Sequence, residues 1–349
     1  MPNHHYDPLA DLRAPGAPEF DVLLEGTVFL DIIFAALGGE LRPGTEVFAD
    51  GMASCPGGIA NLAVAARRLG LRTSLAAAFG DDDYGDFCWR TLEEQEQVDL
   101  SRSRRFEDWH SPVTVSIASG TDRAMVTHAH PAPVPIAQLI GTPPPTRAVI
   151  CDLSGPDSDD QLGKRDWVQQ ARAGGALVFA DVGWDPTQQW SPSVLDQLEH
   201  CHAFMPNEVE AMAYTRTATA HDALYALGDR VPLAIVTRGS DGAIAIDSTT
   251  GEEAQAPALR VCAVDPTGAG DVFGAAMVLG TLAGWPLADR LAFASLCSSL
   301  AVQQYGGSLA APTWGDVVDW WREVRASEER SAYHHSLVRR YAFLEAIAP

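Results

Sequence analysis

The sequence predicts an α/β protein whose central sheet is buried and mostly parallel. From about residue 146 onward, short apolar runs of strand length alternate with segments of helical periodicity, which is the order expected of βαβ units. Residues 148–151 and 177–181 are two of these runs, and such runs are typical of parallel strands covered on both faces. With 349 residues, the chain is long enough for one large α/β domain or two small ones.

The composition is that of an ordinary globular protein, with 46% hydrophobic and 20% charged residues. The net charge of −22 argues against a nucleic-acid partner and against binding to an anionic membrane surface. Basic residues are almost all arginine, and Lys164 is the only lysine. This excludes a P-loop, because that motif needs a Gly-Lys-Ser/Thr sequence, so a bound nucleotide must be held in another way.

The cysteines and the N-terminal sequence indicate the cellular compartment of the protein. The six cysteines are scattered, form no Cys-x-x-Cys pair and lie mostly in apolar runs, which predicts reduced core residues. No N-terminal segment has the pattern of a signal peptide, and no apolar run is long enough to span a bilayer. We therefore expect a cytoplasmic protein.

The first part of the chain leads from a tail into a strand. Residues 1–18 are rich in Pro, His and Asp and lack apolar periodicity, so we expect a flexible tail. Residues 20–26 predict the first buried strand. Asp31 is a lone carboxylate in the next apolar run. It is either an aspartate at a strand end or exposed face, or a ligand contact, because a buried carboxylate needs donors and sugar hydroxyls supply them.

A glycine pair then precedes a helix. Residues 59–69 have apolar positions at helical spacing, and Gly70 is the predicted end of that helix. Gly57 and Gly58 let a ligand approach the backbone closely, and the amide of Asn61 can both donate and accept a hydrogen bond. The same residues also fit an ordinary glycine turn with a cap.

Residues 73–79 predict a strand, which is followed by three consecutive aspartates, residues 81–83. Three carboxylates in a row suit a metal ion, but we favour a turn and a cap for a helix that begins near Tyr84.

Residues 113–117 and 123–127 predict a β-hairpin, because they flank a Gly-Thr-Asp turn at 120–122. His128 and His130 follow its second strand. They either face a substrate or lie on the surface, and the sequence does not separate the two.

The strand that ends at Asp181 brings its carboxylate to the carboxyl edge of the sheet, where α/β proteins bind ligands. Asn207 and Glu210 lie at the start of a later helix. Acidic residues in a first helical turn are common for electrostatic reasons alone, so this pair is weak evidence of function by itself. Residues 233–237 predict another buried strand, which runs into a glycine turn.

The most informative stretch is the segment from residue 259 to residue 274. Residues 259–264 predict a strand and residues 272–282 a buried helix, with a loop of small residues between them. The N–H groups of such a loop and the dipole of the helix favour bound anions. Asp271 lies at the mouth of this anion site. It either caps the helix or accepts a proton during a reaction.

The loop sequence Asp265-Pro266-Thr267-Gly268-Ala269-Gly270-Asp271 closely resembles the C-terminal signature of the ribokinase-like (PfkB) carbohydrate kinase family. Gly57, Gly58 and Asn61 resemble the N-terminal signature of the same family. The two signatures occur about two hundred residues apart, in the family's order. The resemblance covers roughly residues 20–312.

This resemblance implies a ribokinase-like three-layer α/β/α fold with a mostly parallel central sheet and a small β lid. The kinase domain is expected over residues 19–313, with the lid formed from about 41–55 and 110–130. Residues 314–349 are expected to be a helical extension whose tryptophans dock on the body. The lid often makes a dimer contact in this family, so we expect a homodimer through the lid.

The resemblance also implies roles for individual residues. The acceptor would be bound by Asp31, Gly57, Gly58 and Asn61. Asp271 would be the proton acceptor, and the loop N–H groups that hold the transferred phosphoryl group would belong to Gly268, Ala269 and Gly270. The nucleotide would contact Asn207, Thr237, Gly239, Gly242 and Gly307. Glu210 would bind Mg²⁺ through water. Asp265 and Thr267 would bind a monovalent cation, K⁺.

The function predicted in this way is transfer of the γ-phosphoryl group of Mg-ATP to a hydroxyl of a small sugar, such as ribose, fructose or a keto-deoxy sugar acid. An ordinary aspartate pKa of about 4 would leave Asp271 ionised at pH 7. The alternatives are a nucleoside kinase, with a base slot near Phe29, Trp109 or His130, and a catalytically silent sugar-binding protein. A Rossmann oxidoreductase is disfavoured, because no Gly-x-Gly-x-x-Gly follows the first strand.

Overall fold

The computed structural model describes residues 6–14, 16–119, 122–153, 162–183, 185, 187–329 and 331–347. The strands in these ranges are β1 (Phe20–Glu25), β2 (Val28–Leu37), β3 (Ala49–Gly58), β4 (Thr73–Ala76), β5 (Ala78–Gly80), β6 (Arg104–Phe106), β7 (Val113–Ser119), β8 (Asp122–His128), β9 (Thr146–Asp152), β10 (Leu177–Asp181), β11 (Ala203–Phe204), β12 (Leu233–Thr237), β13 (Ala243–Asp247) and β14 (Glu252–Ala256).

The α-helices in the same ranges are α1 (Ile59–Arg68), α2 (Asp83–Arg90), α3 (Ile136–Ile140), α4 (Asp166–Ala173), α5 (Ser193–Asp196), α6 (Glu208–Thr215), α7 (Ala220–Gly228), α8 (Ala269–Leu282), α9 (Leu287–Ala301), α10 (Trp314–Ala326), α11 (Ala332–Arg340) and α12 (Leu344–Ile347).

The main sheet has the strand order β14-β13-β12-β11-β10-β9-β1-β4 among the described residues. Strands β4, β1, β9, β10, β11 and β12 are paired in parallel, whereas β13 and β14 are added antiparallel at one edge. The prediction of a mostly parallel sheet is confirmed. Its parallel strands all end at one edge, which is where a ligand site is expected.

Each face of the main sheet is covered by helices. Successive strand residues point to opposite faces, so Val22 and Leu24 of β1 belong to one core while Leu23 belongs to the other. The first core is completed by α1, α8 and α9, and the second by α4, α6 and α7. The three-layer α/β/α arrangement is therefore confirmed.

A second sheet, with the order β3-β2-β7-β8, forms the small β lid. Strand β2 pairs antiparallel with β3 and parallel with β7, and β7 pairs antiparallel with β8. Its strands β3, β7 and β8 overlap the regions predicted for the lid, and β2 adds a strand that the prediction did not include. The predicted hairpin is present, although residues 120 and 121 of its turn lie outside the described residues.

The strand predicted over residues 259–264 is wrong, because this segment forms no ladder. Its backbone donors find partners on side chains of helices instead. The N–H of Leu259 donates to Ser299 Oγ at 3.2 Å, and the N–H of Arg260 donates to the hydroxyl of Tyr333 at 3.0 Å. The apolar run is thus explained by packing on helices and not by pairing in a sheet.

The strand predicted over residues 73–79 is divided in two. Its first part, β4, lies at the edge of the main sheet, and its second part, β5, pairs with β6 in a separate two-stranded sheet. The break falls at Ala77, whose N–H donates to Ser103 Oγ at 3.1 Å instead of continuing a ladder.

Residues 6–14 differ from the flexible tail that the sequence leads us to expect. Leu9 is fully buried, and the ring of Tyr6 packs edge-on against Trp314 with their centroids 5.0 Å apart. Arg13 forms ion pairs with Asp7 and with the buried Asp21. These contacts have no periodic sequence signal, because they depend on single side chains that reach the folded body.

The C-terminal helices pack against the body of the protein. Trp314 is 2% exposed, and its Nε1 donates to the carbonyl of Leu69 at 2.8 Å. Trp321 is also buried, and Trp320 packs against the first core. Within the described ranges, no helix combines the length and the apolar character that crossing a bilayer requires.

Candidate active site

The anion loop leads directly into α8. Gly268 adopts a left-handed conformation with φ +77° and is the N-cap residue, so the helix begins at Ala269. Asp271 therefore lies inside the first turn, and the interpretation of Asp271 as the cap is wrong. The N–H of Ala269 donates to the carbonyl of Pro266 at 3.2 Å, so this predicted anion donor is already engaged in the loop turn. Gly270 is exposed, with open space where a side chain would be.

The two predicted signatures meet at a hydrogen bond. Asn61 Nδ2, in the first turn of α1, donates to Asp271 Oδ2 at 3.1 Å. Asn61 is 6% exposed, and its Oδ1 is buried without a hydrogen-bond partner among the described residues. The fold thus joins two helix N-termini that are 210 residues apart in the chain.

The protonation of Asp271 differs from the expectation. Burial, with a smaller contribution from the charges of Asp31 and Asp152, raises the pKa of the Asp271 carboxyl to about 7, although the hydrogen bond from Asn61 opposes this rise. The expected pKa of an ordinary aspartate is therefore wrong for this site. A carboxyl that titrates near neutrality is suited to accept a proton at physiological pH.

A cavity of about 330 Å³ opens beside Asp271 at the carboxyl edge of the main sheet. Of the predicted acceptor residues, Gly58 and Asn61 line it. Its lining comprises Glu25, Gly26, Thr27, Phe29, Gly58, Ile59, Asn61, Leu62, Ile150, Asp152, Asp181, Val182, Gly183 and Asp271. We call this the acceptor cavity.

Sequence reasoning did not name three acidic residues of this lining as site residues. Glu25, Asp152 and Asp181 are the last residues of β1, β9 and β10. Each is thus a carboxylate at the carboxyl end of a parallel strand. This signal places Asp181 at the ligand-binding edge from the sequence, and it could have identified Glu25 and Asp152 in the same way.

Asp31 and Gly57 lie next to the acceptor cavity but are not among the residues that line it. Asp31 is buried on β2 and lies directly over Gly57 of β3: a Cβ atom at Gly57 would be only 1.9 Å from Asp31 Oδ2. Gly57 is therefore required for the carboxylate to occupy this position. Gly58, with φ +61°, is similarly restricted, because a Cβ there would be 2.4 Å from the carbonyl oxygen of Thr27.

A second cavity, of about 300 Å³, also borders the first turn of α8. Thr237, Gly239 and Gly242 line it together with Ala269 and Gly270 of the anion loop. The assignment of the first three residues to a nucleotide site remains a prediction. Its wall also contains Ser295, Ser298 and Ser299 of α9, which sequence reasoning missed. We call this the second cavity.

The structure places Gly307 away from the lining described for the second cavity. A Cβ at Gly307 would be 2.9 Å from Cys55 Sγ and 3.4 Å from Thr267 Cγ2, and the hydroxyl of Ser308 donates to the carbonyl of Pro56 at 2.5 Å. This segment therefore connects the anion loop to the lid strand β3. The predicted contact of Gly307 with the nucleotide remains a prediction.

Asn207 and Glu210 form a reciprocal cap at the start of α6. Asn207 Oδ1 accepts the N–H of Glu210 at 3.0 Å, and Glu210 Oε2 accepts the N–H of Asn207 at 2.9 Å. Burial raises the pKa of Glu210, and Asp152 adds to this. Burial likewise raises the pKa of Asp181, followed by the charge of Asp271. Carboxyls from four elements thus influence one another near the sheet edge.

Asp265 shapes the anion loop through backbone contacts. Its Oδ1 accepts the N–H of Thr267 at 2.9 Å, and its Oδ2 is 3.5 Å from the N–H of Gly306. These bonds give Asp265 a structural role, and they leave the predicted monovalent-cation site a prediction.

The aspartates at 81–83 form a turn and a cap, as we favoured. Asp82 Oδ1 accepts the N–H of Gly85 at 2.7 Å, and its Oδ2 accepts the N–H of Ser111 at 2.8 Å. No group of three His, Cys, Asp or Glu side chains in the described part of the chain is placed to hold a metal ion. His128 and His130 are exposed on the lid and pack edge to face with centroids 4.8 Å apart.

Comparison with known proteins identifies the family of the chain. The family model described as pfkB family carbohydrate kinase matches residues 32–314. A fructokinase from Klebsiella pneumoniae is 31% identical over 285 residues, covering 75% of this chain and 91% of the relative. A ribokinase from Schizosaccharomyces pombe is 30% identical over 303 residues, covering 80% and 90%.

Among solved structures, a putative ribokinase II from E. coli in complex with ATP and Mg²⁺ superimposes with a TM-score of 0.72. It is 21% identical and covers 87% of this chain and 99% of that one, which shows a shared fold. Since the family model spans most of the sequence, the chain belongs to the pfkB family of carbohydrate kinases and is a phosphotransferase with an alcohol group as acceptor.

Proposed function

We propose that this chain transfers the γ-phosphoryl group of Mg-ATP to a hydroxyl of a small sugar. The observation that carries this proposal is that two cavities share the first turn of α8. Asp271 lines the acceptor cavity, whereas its neighbour Gly270 lines the second cavity. A phosphoryl group at the helix N-terminus between them would meet an acceptor on one side and a nucleotide on the other.

In this proposal Asp271 accepts the proton of the attacking hydroxyl. Asn61 orients the Asp271 carboxylate through its 3.1 Å hydrogen bond, and its unpartnered Oδ1 is available to a substrate hydroxyl. Asp31, Gly57 and Gly58 shape the acceptor side. The N–H groups of Gly268 and Gly270 stabilise negative charge that builds up on the transferred group, and the lid excludes water, which would compete as an acceptor.

Magnesium fits the chemistry of the residues around Glu210. Mg²⁺ prefers oxygen ligands and is usually held by one or two carboxylates together with waters and phosphates. Glu210 is 7% exposed, and burial raises its pKa, so a cation there would favour its ionised form. When bound, Mg²⁺ would neutralise charge on the phosphate oxygens. The E. coli relative that binds ATP and Mg²⁺ supports this assignment.

The potassium site and the contact between subunits are also proposals. Asp265 and Thr267 would hold K⁺ through oxygen atoms beside the anion loop. A homodimer would form through the lid, whose strands carry exposed apolar residues.

The decisive experiment measures ADP release from Mg-ATP with ribose, fructose, 2-keto-3-deoxygluconate and nucleosides, using the wild type and Asp271→Asn. We expect turnover of one acceptor class and a loss of several orders of magnitude in the variant while ATP still binds. Asp271→Asn is expected to fold, since burial already disfavours the charged form of this carboxyl. Activity equal to that of the wild type would refute Asp271 as the proton acceptor.

Two other functions are less well supported. A nucleoside kinase needs an aromatic wall for a base, and of the three candidates only Phe29 is among the lining residues of the acceptor cavity as described. Trp109 instead donates its Nε1 proton to the carbonyl of Pro131 at 3.0 Å. A silent binding protein would have no need of a carboxyl with a pKa near neutrality beside an anion loop.

A further inference from the structure

Residues 305–308 follow α9 in the chain and run along the lid strand β3. We call them the bridge segment. A Cβ atom at Gly51 would be 3.4 Å from Tyr305 Cζ, and a Cβ atom at Gly307 would be 2.9 Å from Cys55 Sγ. The segment therefore packs against β3 at two separate places, and it gives the lid direct support from the main body of the protein.

The side chain of Ser308 is bound to the same strand. It is fully buried, and its hydroxyl donates to the carbonyl of Pro56 at 2.5 Å. Strand β3 is an edge strand of the lid sheet in the described structure, so its outer backbone groups need partners from outside that sheet. Pro56 directly precedes Gly57 and Gly58, which shape the acceptor side in the proposed function. The bond from Ser308 therefore holds the backbone on which acceptor binding would depend.

The bridge segment also contacts the anion loop. A Cβ atom at Gly307 would be 3.4 Å from Thr267 Cγ2 and 3.7 Å from Asn61 Oδ1, and the N–H of Gly306 lies 3.5 Å from Asp265 Oδ2. Gly307 thus lies where the lid strand, the anion loop and the first turn of α1 meet. Groups packed this closely transmit a displacement from one to the next.

The end of α9 connects the bridge segment to the second cavity. Val302 lines that cavity, and its carbonyl accepts the N–H groups of Val264 at 2.7 Å and of Asp265 at 3.2 Å. The chain enters the bridge segment shortly after Val302. A ligand in the second cavity would therefore restrain the end of α9, and with it the start of the bridge segment.

Arg68 of α1 fixes the chain on the other side of the bridge segment. Its Nη1 donates to the carbonyls of Leu309 at 2.9 Å and of Ala311 at 2.7 Å. Its Nη2 pairs with Glu96 at 2.8 Å, and both side chains of this ion pair are largely buried. The bridge segment is thus tethered at both ends, so a restraint at one end is felt along its short length.

We propose that the bridge segment couples the nucleotide to the lid, and that Ser308 is the positioning residue that transmits this coupling to β3. The inference rests on the proposed function, because it takes the second cavity as the nucleotide site. A nucleotide that orders the end of α9 and the bridge segment would also order β3, so an acceptor that binds afterwards loses less conformational freedom. The effect is reciprocal, since the coupling free energy between two binding sites is the same in both directions.

The test is hydrogen–deuterium exchange with and without Mg²⁺ and the non-hydrolysable ATP analogue AMP-PNP. In the wild type we expect the nucleotide to slow exchange several-fold both at residues 237–242, beside the second cavity, and at β3. In Ser308→Ala the slowing should remain at residues 237–242 and be lost at β3. A residue that only stabilises the fold would change exchange equally with and without nucleotide, so the ratio of the two rates separates positioning from stability.

Two further variants identify the route. Tyr305→Ala truncates an exposed side chain at the other end of the bridge segment and should also weaken the slowing at β3. The matched control is Ser103→Ala, because Ser103 Oγ likewise donates to a backbone carbonyl, that of Leu75 at 2.8 Å, and lines neither cavity. The control should keep the slowing at β3. The same slowing at β3 in all three variants would refute the role of the bridge segment.

The two regions of exchange separate this inference from the proposed function. Slowing at residues 237–242 without slowing at β3 in the wild type would refute the coupling and leave the kinase reaction intact. Absence of slowing in both regions would show that the nucleotide does not occupy the second cavity, and it would overturn the two proposals together.

Discussion

At the scale of single residues, the central feature is a carboxyl group whose protonation is set by its surroundings. Asp271 is partly buried, is influenced by the charges of Asp31 and Asp152, and is restrained by one hydrogen bond from Asn61. The first two influences favour the protonated form and the third opposes them. The balance leaves the group able both to accept a proton and to release it near pH 7.

This balance predicts the pH dependence of the reaction. The carboxyl must be ionised to accept a proton, and its pKa is about 7. We therefore expect kcat/KM to fall about tenfold per pH unit below pH 7 and to level off above it. Asn61→Leu removes the bond that lowers the pKa, so its midpoint should move to higher pH. A profile that is flat from pH 5 to pH 8 would contradict the assignment.

A second prediction concerns the backbone beneath Asp31. In Gly57→Ala, the new Cβ would overlap the Asp31 carboxylate at 1.9 Å, so Asp31 must move. We expect a higher KM for the acceptor, by about tenfold or more, with unchanged KM for ATP. The matched control is Gly39→Ala, because a Cβ there meets no atom within 4 Å. Steady-state kinetics with each substrate varied separately check this, and equal KM values in the two variants would contradict it.

At the scale of secondary-structure elements, the sequence predicts best where local pattern and packing agree. Helices α1 and α8 carry apolar spacing or a run of small residues, and both appear near their predicted bounds. Residues 259–264 show the opposite case. Their apolar character is real, but whether a strand or a helix surface covers them depends on tertiary contacts with Ser299 and Tyr333, which no local pattern encodes.

The residues of the site also divide into those that a local motif identifies and those that only the tertiary structure brings together. Asn61 and Asp271 are recognisable because each belongs to a short motif of fixed spacing. Glu25, Asp152 and Asp181 have no such motif and become neighbours only when their strands are placed side by side. Gly307 illustrates the limit, since its contact with Cys55 depends on how the lid strand β3 lies over the anion loop.

The element scale also gives a prediction for the C-terminal extension. Trp314 is 2% exposed, donates to the carbonyl of Leu69 at 2.8 Å and packs against Tyr6 and Phe293. Trp314→Ala should lower the free energy of unfolding by about 3–5 kcal/mol, as is usual for large-to-small changes at buried aromatic residues. Urea denaturation measures this.

The matched control for Trp314→Ala is Arg322→Ala on the same helix, whose side chain is exposed and should change stability by about 0.5 kcal/mol or less. If both variants unfold at the same urea concentration, α10 does not contribute to the core in the way its burial indicates.

At the scale of the whole molecule, one chain brings two helix N-termini and the ends of three parallel strands to a common edge, with a separate sheet above it. The two cavities share the first turn of α8. This arrangement explains why a chain with one lysine can still handle a nucleotide: backbone groups and a helix dipole take the place of a P-loop lysine.

The lid sheet provides the last prediction. Its strands expose large apolar side chains, among them Met52, Met125 and Val126, which is 70% exposed. Exposed apolar residues grouped on one element favour a contact with another surface, and a second copy of the lid offers a self-complementary one. We expect the wild type to have the mass of a dimer in multi-angle light scattering, and Val126→Asp to shift it toward the monomer.

The matched control for this prediction is Tyr225→Asp, which changes an exposed residue on α7, outside the lid, and should leave the mass unchanged. The acceptor cavity lies beneath the lid. A monomeric Val126→Asp variant should therefore show a larger increase over the wild type in its KM for the acceptor than in its KM for ATP. A wild type that stays monomeric at high concentration would refute the lid contact, and a monomeric variant with unaltered kinetics would show that the lid closes without its partner.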